Sequence, residues 1–247
     1  MGHAESKAVI PQFPAESTAK GLPRRFIAAY KKSWTEIAVT LSDPDSEPAY
    51  VVTLDQGWYG NMTMHSGPTV DHQPLAAVKP GGRMRQDFSI TLPALPGEGS
   101  EGRTEVLRYV VSLRREMFWF AMEVGEGRSR RLEKFEWRRS HGSEVKSLGK
   151  GGWGWKLVRV GNDMSESYAG EEIDRADGLT SDGKEVVAVW ANITATLTKI
   201  GEFEFRGSGA TGELGQQWSI MAAVSCMCIW QKSMQTTITT GTAAAVV

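Results

Sequence analysis

The stretch WSIMAAVSCMCIW, Trp218 to Trp230, decides how the rest of the chain is read. Eleven of its thirteen residues are apolar. The two exceptions, Ser219 and Ser225, carry small hydroxyls that can bond back to the carbonyls of their own helix. Cut at a period of 3.6, the stretch has no polar face, so a helix here must be enclosed on every side. At 1.5 Å per residue it is about 20 Å long, short of the roughly 20 residues that span a bilayer. It reads as the buried pillar of a domain around which the earlier chain is wrapped. Cys226 and Cys228 point about 200° apart on such a helix. They cannot pair with each other, and no zinc pattern surrounds them, so they read as small buried hydrophobes.

Working back from the pillar, the chain is a series of short alternating segments. Phe88–Leu92, Glu105–Leu113, Met117–Val124, Leu132–Arg138, Trp155–Val160 and Val187–Leu197 each place apolar side chains at every second position, the period of a half-buried strand. Asp182-Gly183 is a hairpin signal, and Asp43-Pro44-Asp45 is a turn. The run from Phe26 to Leu41 is mixed. Ile27, Tyr30 and Trp34 would share a helical face, whereas Ile37, Val39 and Leu41 alternate.

Ten to twelve short strands at regular spacing followed by one wholly apolar helix predict a mainly β fold. The arrangement expected is a closed antiparallel β-barrel of about 12 strands around one buried C-terminal helix, because a sheet's outer face would cover only one side of that helix. The predicted organisation is a loose N-terminal arm over 1–22 and a single barrel domain over 23–233. Within it lies a central helix at about 213–231, and a polar, small-residue tail over 234–247 that frays.

Composition narrows the function classes. Lysine plus arginine number 28 against 29 acidic residues, a formal charge of −1. No global field draws the chain to nucleic acid, and any membrane contact is expected to be weak. Nine tryptophans suggest broad flat surfaces in the core or around a ligand. The N-terminal residues show no apolar run of signal-peptide length, which gives a cytoplasmic expectation. No G-x-S-x-G, P-loop, H-E-x-x-H or G-x-G-x-x-G motif frames a site, so a standard hydrolase, kinase or dehydrogenase is not expected, nor is a metal or cofactor.

Four segments carry a resemblance. They are FEWRRSHGSEVKSLG (Phe135–Gly149), GWKLVRV (Gly154–Val160), SDGKEVVAVWA (Ser181–Ala191) and FEFRGSGATGELGQQWSIMAAVSCMCIWQ (Phe203–Gln231). They closely resemble a group of fungal proteins of the Tubby C-terminal-like superfamily, to which the LURP-one-related and scramblase-like proteins also belong. The resemblance covers residues 130–231 closely and 26–125 more loosely. It implies a twelve-stranded antiparallel barrel threaded by an apolar helix. It also implies functions that range from phosphoinositide binding to lipid-linked roles, and fold likeness alone gives no mechanism.

Three functional expectations follow, of which the last is a scaffold that binds no ligand. The first is a barrel of fungal secondary metabolism that binds an apolar small molecule and acts as a cofactor-free cyclase or pericyclase of Diels–Alderase type. Such an enzyme orients a reactive substrate against aromatic walls and polarises a carbonyl with a His, Tyr, Lys or Arg donor. His65, Tyr59 and His141 are the catalytic candidates. Trp58, His72, Trp119, Trp153 and Trp155 are the substrate-binding candidates, since loops holding Trp, Tyr and His at a barrel end are where ligand groups gather. Against this, tryptophans usually end in a core and a turn histidine usually bonds local backbone. The alternative is a lipid-binding module holding an anionic headgroup with Arg128, Arg130, Arg131, Arg138 and Arg139, because arginine forks suit phosphate. Glu126, Glu133 and Glu136 lie among these arginines, as they would on an ordinary solvated strand face.

Overall fold

The structure is a computed structural model and describes residues 11, 21–32, 37–44, 46–81, 86–94, 102–112, 115–125, 127–149, 152–161, 178–193 and 198–244. The N-terminal arm falls almost wholly outside them, as do Trp34, Glu126 and the end of the alternating run at Ala195 and Leu197.

Twelve strands make one closed antiparallel barrel. They are β1 (Arg25–Lys32), β2 (Ile37–Ser42), β3 (Pro48–Leu54), β4 (Met62–His65), β5 (Pro74–Gly81), β6 (Asp87–Leu92), β7 (Arg103–Ser112), β8 (Arg115–Val124), β9 (Arg131–Ser140), β10 (Gly154–Gly161), β11 (Glu185–Asn192) and β12 (Lys199–Phe205). Each pairs with its neighbours in sequence, and β1 closes the ring against β12. A closed ring leaves no unpaired edge. The register places Phe26, Val39, Val52, Met64, Ile90, Leu107, Phe118, Trp137, Leu157 and Phe203 inside, in one cluster with the helix. The segment from Phe26 to Lys32 is therefore strand, not helix. Phe26 and Ala28 face inward at a period of two, and Phe26 stacks on Phe203 across the closing seam at 4.6 Å.

Three helices accompany the barrel among the described residues: α1 (Ser143–Leu148), α2 (Gly207–Ala210) and α3 (Gln216–Ala244). Helix α1 lies on the outer wall, where Val145 and Leu148 cover Val186, Val189 and Ala191. Helix α3 is the predicted pillar. Every residue from Ile220 to Gln231 is buried, both cysteines included. A wholly buried bond ties pillar to wall: the Trp137 indole Nε1–H donates to Ser225 Oγ at 2.8 Å, and that hydroxyl donates to the Ala222 carbonyl. Burial pushes both thiols well up, which leaves them inert in the interior.

Beyond Trp230 helix α3 runs on past its predicted end at about 231. It continues to Ala244, for a total of 29 residues. Two kinds of hydrogen bond support the extension. Gln231 Nε2 donates to the carbonyls of Trp58 and Gly60, and Gln235 Nε2 donates to that of Trp58. The hydroxyls of Ser233, Thr236, Thr237, Thr239 and Thr240 bond back to carbonyls four residues earlier, which satisfies them within the helix.

Candidate functional site

Because the strands alternate in direction, the barrel has two mouths. The entry mouth holds the ends of β4, β8, β10 and β12 and the start of α3. The exit mouth, where α3 leaves, holds the ends of β3, β7 and β9 and the start of β10.

The predicted site residues divide between them. Trp58 and Tyr59, in a 3-10 turn after β3, stand at the exit mouth. His65 pairs with Val51 whereas Met62 pairs with Leu54, so His65 lies about 10 Å further along the barrel, toward the entry mouth. The hairpin therefore separates histidines and aromatics that are neighbours in sequence. His65 is buried and bonded: Nδ1 meets the His72 carbonyl at 2.9 Å and Nε2 faces Thr53 Oγ1 at 3.4 Å. His72 is exposed against Thr69. Trp58 packs edge-on against Trp230 at 5.2 Å and beside Tyr30 at 5.7 Å, while the Tyr59 hydroxyl meets Thr239. These aromatics clamp the departing helix.

His141 and Trp153 sit at the exit mouth on the β9–β10 side, their rings 3.8 Å apart, with Trp153 57% exposed. In a ring of twelve strands they stand opposite Trp58 and Tyr59. Trp155 is buried against Phe118. Trp119 points outward between two cations, with the Arg108 guanidinium 5.6 Å and the Lys134 Nζ 4.9 Å from its ring centroid.

The arginines form no common face. From Arg131 to Arg139 strand β9 runs about 26 Å, the height of the wall, and alternation sends its side chains both ways. Arg131 bonds Glu133 and Glu213 at the entry mouth. Arg138 lies on the outer wall between Glu136 and Asp182. Arg139 faces the exit mouth and pairs with Glu116 at 3.0 Å. Arg130 is exposed beside the 3-10 turn Gly127–Ser129. The Arg128 side chain lies outside the described residues.

Two charged clusters are built into the barrel. On the outer wall Lys134 and Glu136 are almost wholly buried and 3.1 Å apart, an ionic contact without the direction of a hydrogen bond. At the entry mouth Arg159 is saturated. It holds Glu133 at 2.6 and 2.9 Å, Glu213 at 3.1 Å and Ser208 Oγ at 3.0 Å. Burial works against the Glu133 carboxylate, but bonds from Arg159 and Arg131 outweigh it and hold its pKa below the usual range. Here GSGATG, Gly207–Gly212, spells a G-x-G-x-x-G. It follows an antiparallel barrel strand rather than opening a βαβ unit, and Glu185 occupies the Ser208 N–H at 2.6 Å. The turn is a structural lock with its own carboxylate, not a dinucleotide cradle.

A different constellation appears at the exit mouth, from residues far apart in sequence. Tyr109 on β7 and Glu116 on β8 face inward, and the Tyr109 hydroxyl donates to Glu116 Oε1 at 3.0 Å. Arg139 binds the other carboxylate oxygen and lies 5.4 Å over the Trp155 ring. The Lys232 Nζ on α3 sits 5.1 Å from the Tyr109 ring centroid. Below them Tyr109, Phe118 and Trp155 form a continuous aromatic floor, with centroids 4.7 and 5.5 Å apart. Burial, then the charge and hydrogen bond of Glu116, push the Tyr109 phenol up to about 12. Burial lowers the Lys232 ammonium, opposed by Glu116. The array offers two cationic donors and a fixed carboxylate over an apolar floor. Arg139 and Trp155 were legible as candidates. Tyr109, Glu116 and Lys232 were not, although Lys232 is the one charge between Gln216 and Val247.

Among the described residues no three His, Cys, Asp or Glu side chains gather as a metal site, and no helix is long and apolar enough to cross a membrane. Compared with models of protein families, with curated proteins and with solved structures, the chain finds no match.

Proposed function

We propose that this protein is a small-molecule-binding barrel whose site is the exit-mouth array of Tyr109, Glu116, Arg139 and Lys232. Its ligand is an apolar, planar molecule carrying a carbonyl or carboxylate. The carrying observation is that Lys232 and Arg139 flank one carboxylate over a buried aromatic floor, while the opposite half of the same mouth is closed by Tyr30, Trp58 and Trp230. Donors aimed at a carbonyl above an apolar floor suit a cyclase or pericyclase, in which orientation supplies most of the rate and polarisation adds to it. The Tubby-like membership and the place in fungal metabolism belong to this reading. They rest on the sequence resemblance, and the closed barrel threaded by a helix is the architecture that resemblance implies. The lipid-headgroup reading has less support, since its arginines are spread over the height of the barrel and three of them are ion-paired.

The test is a fluorescence titration with 1-anilinonaphthalene-8-sulfonate, an aromatic anion. Arg139→Gln and Lys232→Met should each weaken binding about tenfold, near 1.4 kcal/mol, without lowering the melting temperature. Binding unchanged in both variants refutes the site. Tight, headgroup-selective sedimentation with phosphoinositide vesicles, lost on Arg130 and Arg131 substitution, would instead establish the lipid reading.

A further inference from the structure

We propose that Lys232 captures a carbonyl ligand covalently, its amine condensing with an aldehyde at the exit mouth to form an imine. The inference rests on the ligand-site reading above and goes beyond it by naming the reacting atom and the ligand class.

Between Gln216 and Val247 the chain carries one charged residue, and it falls where α3 emerges from the core. Trp230 and Lys232 are two residues apart, so they leave the helix about 200° from each other. Trp230 meets Tyr30 and Trp58 on the β1–β3 side. Lys232 is thereby aimed at β7 and β8, opposite in the ring. Its stem is half-buried and its amine stands over the Tyr109 ring.

Among the described residues, three charged or titratable groups face that amine: Glu116, whose field reaches it, Arg139 beyond the carboxylate, and the Tyr109 phenol. Burial favours the neutral amine, which is the nucleophilic form, and Glu116 opposes it only in part. Among the described residues, Cys226 and Cys228 are sealed in the core, His65 lies toward the other mouth, and His141, at the same mouth, packs against Trp153 on the β9–β10 side.

The step balances without a further reagent. The Lys232 nitrogen lone pair attacks the carbonyl carbon, a C–N bond forms, and one amine proton passes to the carbonyl oxygen, giving a carbinolamine. The C–O bond then breaks, the second nitrogen proton leaves with that oxygen as water, and a C=N bond remains. Arg139 is placed to polarise the oxygen during attack. Glu116, held by Tyr109 and Arg139, is placed as the proton carrier.

The experiment incubates the full chain with trans-cinnamaldehyde and sodium cyanoborohydride at neutral pH, then maps reduced adducts by peptide mass spectrometry. The Lys232 adduct should accumulate about a hundredfold faster than adducts at the exposed Lys79 and Lys146, the modest end of acid–base assistance. Glu116→Gln should remove most of that advantage while the protein still melts cooperatively. Trapping at Lys232 no faster than at Lys79 overturns the proposal. If anilinonaphthalene sulfonate binding still depends on Arg139 in that case, the ligand site stands and only covalent capture falls. If the dye does not bind at all, the site reading fails with it.

Discussion

The bond between Trp137 and Ser225 is the sharpest test of a helix seated on the barrel axis in one register. Both side chains are wholly buried, and the indole N–H has the Ser225 hydroxyl at 2.8 Å as its partner. Ser225→Ala removes one oxygen, so the cavity it leaves is small. The cost comes from the indole donor, stranded where water cannot reach it. An unpaired buried donor costs about 1–3 kcal/mol. The Ala222 carbonyl loses only a secondary bond, since it keeps its place in the helix ladder. About 2 kcal/mol in a chain of this size lowers Tm by roughly 4–8 °C. Trp137→Phe separates this from packing, because it removes the donor itself. In that background Ser225→Ala should cost almost nothing, leaving a coupling of about 1–2 kcal/mol in the double-mutant cycle. Circular dichroism melts and urea titrations of the four proteins measure it. A Ser225→Ala shift below about 1 °C, or an equal cost in both backgrounds, would refute the docked register and the central-pillar reading with it.

Two further outcomes follow from the geometry. Tyr109 holds its proton more tightly folded, at about 12, than unfolded near 10.0, so its contribution is intact below pH 10 and is lost as pH rises through 12. Two pKa units correspond to at most about 2.7 kcal/mol, which solvent screening of this half-buried phenol reduces to about 1 kcal/mol. Tyr109→Phe should therefore flatten the fall of the urea midpoint between pH 10 and 12, and an equally steep fall in the variant contradicts the assignment. Gly201→Ala would bring a Cβ to 2.1 Å from the Trp190 ring, which is itself buried. Overpacking of this kind costs about 1–3 kcal/mol, and an unaltered melt would show that the β11–β12 wall yields freely.

The fold was legible because each of its parts is a local pattern. Strand alternation depends on neighbours two apart, and an apolar run such as Trp218–Trp230 announces enclosure without any knowledge of what encloses it. The exceptions are physical. Phe26–Tyr30 satisfies a helical and a strand period equally, and only closure against β12 resolves it. The tail QKSMQTTITT looks unfit for a helix because threonine propensity is low. It becomes helical because two glutamine amides find the carbonyls of a turn more than 170 positions earlier. The site was less legible because proximity along the chain misleads in a barrel. His65 follows Tyr59 by six positions yet lies toward the other mouth, and the contiguous arginines of β9 reach from one mouth to the other. Tyr109, Glu116, Arg139 and Lys232 meet only because ring order sets β7, β8 and β9 side by side and α3 turns its lysine toward them.

A helix that fills the axis displaces function to the rim, and the helical angle then decides which part of the rim. At 100° per residue, apolar Trp230 and cationic Lys232 are sent to opposite walls. One wall answers with Trp58 and Tyr30, the other with Tyr109 and Glu116. The entry mouth makes the contrast plain. There Arg159 spends its donors on Glu133, Glu213 and Ser208, and its charge is neutralised within the protein. At the exit mouth Arg139 engages Glu116 through Nε, and Lys232 has the face of a ring. A cation resting on a ring instead of a carboxylate keeps its N–H groups available to an incoming oxygen. On the reading proposed above, that difference in pairing, more than the number of charges, is what would equip the exit mouth to meet a ligand.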